Sequence, residues 1–178
     1  MSDDEDYLEK SPAAARMGKA AEYLVAASSI LATGGELNVS TALVDDEGVD
    51  LVFHRRGSSA TLAVQVKARM STGTQVRQGK VMAFVRSQTF RPRTGLDLLV
   101  VAVDVERGAV MTAWLIPSRT FAAMATEPNS RGQFRFSASM KPDSKDRWTP
   151  FRLTAAELPR RLLARLAELE KAGSGTET

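Results

Sequence analysis

The chain contains no cysteine in 178 residues, which excludes disulfides and thiolate metal sites and leads us to expect a reducing compartment. It has a single histidine, His54, so a histidine-dependent triad has one candidate and no serine elbow to partner it. Long hydrophobic runs are missing too. The longest, Tyr23 to Ala32, is too short and too rich in Ser and Ala to span a bilayer. The start, Ser2-Asp3-Asp4-Glu5-Asp6, is acidic and lacks the basic opening of a signal peptide. Gly34-Gly35 and Gly73 lack the Gly-Lys-Ser/Thr ending of a phosphate-binding loop. These absences lead to the expectation of a cytoplasmic protein with no membrane attachment.

One further absence is positional. No Asp or Glu occurs from His54 to Arg93, while Arg55, Arg56, Lys67, Arg69, Arg77, Lys80, Arg86, Arg91 and Arg93 all fall there. The net charge is only +3, so it is the clustering that matters. Such a block suits a polyanion, because each phosphate neutralised releases counterions. Nucleic acid is therefore the expected partner, contacted by Arg55, Arg56, Arg69, Arg77, Lys80, Arg86, Arg91 and Arg93.

What is present fits one soluble domain: 43% apolar and 25% charged residues, over a length that buries a full core. Residues 1–10 are expected to be disordered, 11–171 to form the domain, and 172–178 to be a flexible tail. Ser11-Pro12 opens a helix, with Ser as cap and Pro at its first position, and Gly34-Gly35 ends it. Strands are expected at about 36–44, 49–55, 60–68, 80–85, 98–103 and 109–116, the fifth wholly apolar and buried on both faces. A short helix follows Ser118, and Gln133 to Phe136 alternates like a strand. Thr154 and Glu157 have capping-box spacing before a helix with an apolar stripe of Leu158, Leu162, Leu166 and Leu169, leaving Arg160, Arg161 and Arg165 outside it. That stripe docks on its own domain or meets a second subunit. Trp114 and Trp148 are expected to pack in the core or at its rim.

Gly48-Val49-Asp50-Leu51-Val52-Phe53 and Gln65-Val66-Lys67 lie on either side of a Gly-Ser turn. With Gly57-Ser58 as a two-residue loop, Arg56 pairs with Ser59, and counting outward sets Asp50 opposite Gln65. Side chains two apart, and those directly opposed, share a face. Asp50, Gln65 and Lys67 then project together, while Leu51, Phe53, Val64 and Val66 turn the other way. An acid, an amide oxygen and an ammonium on one face suit metal-dependent phosphodiester hydrolysis. Asp50 would anchor Mg²⁺ or Mn²⁺, with Gln65 and the Val66 carbonyl as further ligands. Lys67 would orient water or stabilise developing phosphate charge. Glu22 is a candidate second carboxylate, a lone acid in an Ala-, Leu- and Val-rich helix. Asp45, Asp46 and Glu47 stand in reserve.

A helix with an internal Glu, strands carrying Gly-Val-Asp and Gln-Val-Lys, and a buried strand resemble the PD-(D/E)XK nuclease superfamily over about residues 16–104. The Gln variant resembles Mrr-type restriction endonucleases and resolvase-like relatives. The resemblance implies an α/β, restriction-endonuclease-like α-β-β-β-α-β core: a mixed central sheet flanked by helices, here with extra C-terminal strands and a terminal helix. It also implies Mg²⁺-dependent cleavage of nucleic acid, DNA ahead of RNA, with Glu22, Asp50, Gln65 and Lys67 as the active site. The sequence departs from the family pattern in its neutral Gln65 and in showing no evident helix between the third and fourth core strands. The competing reading is a catalytically weak or inactive module of that fold, binding nucleic acid or a protein partner. A homodimer or a larger complex is left open.

Overall fold

A computed structural model describes residues 11–42 and 47–175. Helix α1 (Pro12–Ala32) begins where expected: the Ser11 hydroxyl accepts the Ala14 N–H at 3.1 Å, and Pro12 occupies the first turn, where its missing N–H costs nothing. It ends at Gly34 and Gly35, both at positive φ, whose N–H groups return to Leu31 and Ile30.

Strands β1 (Leu37–Thr41), β2 (Leu51–Arg55) and β3 (Thr61–Met70) form an antiparallel meander. A four-residue helix α2 (Thr74–Arg77) and strand β4 (Lys80–Arg86) follow, then β5 (Leu96–Asp104) and β6 (Ala109–Pro117). Helix α3 (Ser118–Met124), β7 (Gln133–Ser139), β8 (Arg152–Thr154) and α4 (Glu157–Ser174) complete the described chain. The six-stranded sheet runs β1-β2-β3-β5-β6-β8, parallel only between β3 and β5. It is the mixed α/β sheet flanked by helices that the sequence pattern suggested. Strand β5 is buried from Leu96 to Val103, which takes in the apolar run Leu98 to Val103 expected to be buried on both faces.

The core lies on both sides of this sheet. On one side α1 and α4 bury Leu51, Phe53, Val64, Val66 and Leu99 with Val25, Leu158, Leu162 and Leu166. On the other, β4 and β7 pair as a separate antiparallel ribbon. Its Val81, Ala83, Val85, Phe136 and Ala138 meet Leu98, Val100 and Trp114. Trp148 stacks on Phe121 at 5.3 Å, so both tryptophans are core residues, as expected.

Several local expectations need correction. The turn between β2 and β3 is not a two-residue hairpin. The ladder stops at His54↔Thr61, and the Arg56 N–H goes to the Glu36 carbonyl instead of pairing with Ser59. The link from β3 to β5 is a parallel crossover, which needs a long connection; here α2 and a strand that leaves the main sheet supply it. Helix α4 includes residues 172–174, assigned from sequence to the tail. Pro159 sits in its first turn, where no N–H is needed.

The capping box is reciprocal. The Thr154 N–H donates to Glu157 at 2.7 Å and the Glu157 N–H to the Thr154 hydroxyl at 3.2 Å. These bonds hold the Glu157 carboxyl below its usual range. Arg165 does not stay outside the stripe. It reaches inward with two 2.8 Å bonds to Asp97, which is fully buried at the start of β5. Asp97 has the parity of Leu99 and Val101, so it faces α4, and an isolated carboxylate there requires a cation.

Candidate active site

The register that places the site is the expected one despite the different turn. Leu51 pairs with Val64 and Phe53 with Leu62, the expected register; the ladder stops at Leu51↔Val64, one residue short of the Asp50–Gln65 pair that counting had set. Leu51, Phe53, Val64 and Val66 are buried against the helices, which gives Asp50, Gln65 and Lys67 the opposite parity.

Asp50 lies just before β2, where the chain diverges from β3. There the Val66 N–H loses its strand partner and donates to Asp50 Oδ2 at 2.6 Å, while the Asp50 N–H donates to the Val64 carbonyl at 3.0 Å. The carboxylate is thus tied to the seam between the strands by one backbone N–H.

Gln65 is buried, at 5% exposure, and its Oε1 accepts no hydrogen bond among the described residues. Gly48 lies against the same amide. With φ at +68°, Gly48 adopts a conformation that L side chains avoid, and a Cβ there would stand 3.0 Å from Gln65 Nε2. Gly48 thus lets backbone close over the amide and fix it. Lys67, two residues on, is half-buried.

Glu22 is buried on α1, and Lys19 donates to it at 2.5 Å. The hydrogen bond to Glu22 raises the Lys19 pKa, burial opposes it, and the negative charges of Glu22 and Asp50 add to the rise. Lys19 therefore senses both acids, which brings α1 to the Asp50 end of the sheet. Sequence spacing flagged the Lys19–Glu22 pair but not its nearness to Asp50, because that depends on helix-to-sheet packing. Of the reserve acids, Asp45 and Asp46 lie outside the described residues, and Glu47 faces Arg93 at 3.4 Å.

The donors present are of the kind a hard divalent ion takes: the Asp50 carboxylate and a buried Gln65 amide oxygen without a donor among the described residues. Among the described residues, no group of three or more His, Cys, Asp or Glu could hold a metal. The ion would rest on Asp50, Gln65 and the Val66 carbonyl, with Glu22 as the further acid.

The basic block disperses. Arg55 bonds Glu36 at 2.9 Å, and Arg69 donates to the Met82 and Ala68 carbonyls, tying β3 to the ribbon. Arg93 faces Glu47. Arg56, Arg77, Lys80, Arg86 and Arg91 are exposed. Arg135, which the sequence reading did not select, joins Lys80 and Arg86 on the outer face of the ribbon, directly across from Phe84. Its signal was the alternation Gln133-Phe134-Arg135-Phe136. His54 pairs with Ser40 at 3.1 Å, at the far end of β2 from Asp50.

No family model matches the chain, and no curated protein matches its sequence. Among solved structures, the chain is similar to a bacterial homing endonuclease, I-Ssp6803I, at 20% identity, over 83% of this chain and 93% of that one, with a TM-score of 0.49. No helix of the described residues is long and apolar enough to cross a membrane.

Proposed function

We propose that this chain is a metal-dependent nuclease that hydrolyses phosphodiester bonds in DNA, of the PD-(D/E)XK type with Gln at the third position. The observation that carries this reading is the buried Gln65 Oε1. A buried acceptor left without a donor is costly, and a cation held jointly with Asp50 satisfies it.

Mg²⁺ or Mn²⁺ bound there would activate water and neutralise phosphate charge. The chain supplies the rest. Asp50 is oriented by the Val66 N–H. Gly48 confines Gln65, so its oxygen is positioned in advance. Lys67 orients the attacking water or stabilises charge on the phosphate. Glu22, bonded to Lys19, would be the further acid for the ion. Arg56, Arg77, Lys80, Arg86, Arg91 and Arg135 supply the exposed charge for the phosphate backbone.

A second reading, a binding module with the same fold, is favoured by the missing third acid and by Lys19 occupying Glu22. Melting with and without metal separates the two, because a ligand bound only by the folded state raises the melting temperature. Mg²⁺ or Mn²⁺ should raise it in the wild type and not in Asp50→Ala, which should still retard DNA. Equal melting of both proteins in EDTA and in Mn²⁺ refutes the metal site.

A further inference from the structure

Helix α1 carries an apolar face that its own domain does not cover. Its charged residues are Arg16, Lys19 and Glu22, and none follows in the last ten residues of the helix. Yet Tyr23 is 59% exposed and Leu31 80%. Ala13, Met17, Ala20, Leu24, Ala27 and Leu31 recur at alternating intervals of four and three. That is the seam of a coiled coil, and all are exposed except Leu24, which is half-buried and packs at the edge of the core. The face is about 180° around the helix from Glu22, at 100° per residue.

We propose that this face packs antiparallel against α1 of a second copy, making a two-fold symmetric dimer. The alternation itself selects the occupant. One heptad position is Ala three times and the other is Met, Leu and Leu. Antiparallel pairing sets one position against the other. Ala13 then meets Leu31, Met17 meets Ala27, and Ala20 meets Leu24, so each layer holds one large and one small residue. A parallel pair would stack Ala on Ala and Leu on Leu.

Charge agrees. Arg16 and Lys19 lie in the N-terminal half, and α1 has no basic residue in its last turn. Antiparallel packing sets Arg16 at the level of the partner's Ser28, about one turn from that helix's C-terminus, the negative end of its dipole; Lys19 lies two turns away and stays bonded to Glu22. With no cation beyond Lys19, the exposed C-terminal half does not suit nucleic acid. A pairing along the whole stripe would need to bury about 1,000 Å² in total to be specific.

The interface stands independently of the nuclease reading. If both hold, the register has a consequence: paired positions sum to 44, so Glu22 of each copy lies at the level of the two-fold axis. The two candidate sites then sit at equal height on opposite sides of the helix pair.

Sedimentation of the full chain tests this. The wild type at tens of micromolar should have twice the 19.3 kDa monomer mass, and Ala27→Glu/Leu31→Glu should be monomeric with unchanged circular dichroism. Because the chain has no cysteine, Met17→Cys and Ala27→Cys report orientation cleanly. Mixed and oxidised, they should cross-link, while Met17→Cys alone should not, its two copies lying about 15 Å apart along the axis. A monomeric wild type, leaving the face to a different protein, overturns the proposal. So does a dimer that survives the double substitution, or self-cross-linking by Met17→Cys.

Discussion

Gly48→Ala perturbs the candidate site through one methyl group, and Gly57→Ala is its control. Both glycines have positive φ, +68° and +77°. Alanine in that region costs roughly 1–2 kcal/mol. For a chain of this size, that lowers the melting temperature by roughly 2–8 °C. The two differ in their neighbours. A Cβ at Gly57 meets nothing within 4 Å, whereas at Gly48 it stands 3.0 Å from Gln65 Nε2 and 3.4 Å from Cδ. The amide must therefore shift by a few tenths of an ångström, and burial leaves it little room. Since misplacement by about 1 Å costs on the order of a hundredfold in rate, Gly48→Ala should lose about tenfold in cleavage. Its metal-dependent rise in melting temperature should also shrink. Gly57→Ala should destabilise similarly and keep both. The assay is plasmid cleavage under single-turnover conditions beside melting with and without Mn²⁺. If the two variants cleave and respond to metal alike, Gln65 is not a positioned ligand.

Arg165→Met strands the fully buried Asp97 and should destabilise by about 3–5 kcal/mol by chemical denaturation, while the double variant with Asp97→Leu should recover most of the loss. A double variant as unstable as the single one would show that the pair is not the cause. The Lys19 pKa is raised on folding above 10.5, so its contribution is present below pH 10.5 and lost as pH climbs through the folded value. With the Lys19 side chain 51% exposed, this should amount to less than about 1 kcal/mol. The stability gap between wild type and Lys19→Met should therefore close in that alkaline range, as denaturant midpoints would show, and a gap that widens there contradicts the assignment.

The readable parts of the fold were those set by local rules. Ser11-Pro12, the Thr154–Glu157 box and the two-residue parity of the hairpin each follow from near neighbours. Parity survived a wrong turn because burial of Leu51, Phe53, Val64 and Val66 fixes the register whatever the loop does. The parts not readable depend on distant partners. Pairing of β4 with β7 joins segments some fifty residues apart, and Asp97 meets Arg165 across 68. Nothing local marks Arg165 as different from Arg160 and Arg161. In the candidate site, strand counting gave the register of β2 against β3 and with it the shared parity of Gln65 and Lys67. The influence of the Asp50 charge on Lys19, and Gly48 against the Gln65 amide, came only from the way helix and loop pack on the sheet.

The central claim is tested most directly by incubating plasmid DNA with wild type and Lys67→Ala in Mg²⁺, Mn²⁺ and EDTA. The account predicts cleavage by the wild type in either metal, none in EDTA, and loss of cleavage in Lys67→Ala with DNA binding retained. Cleavage that persists in EDTA or in the variant would contradict it, and so would a wild type that binds DNA without cutting it in either metal.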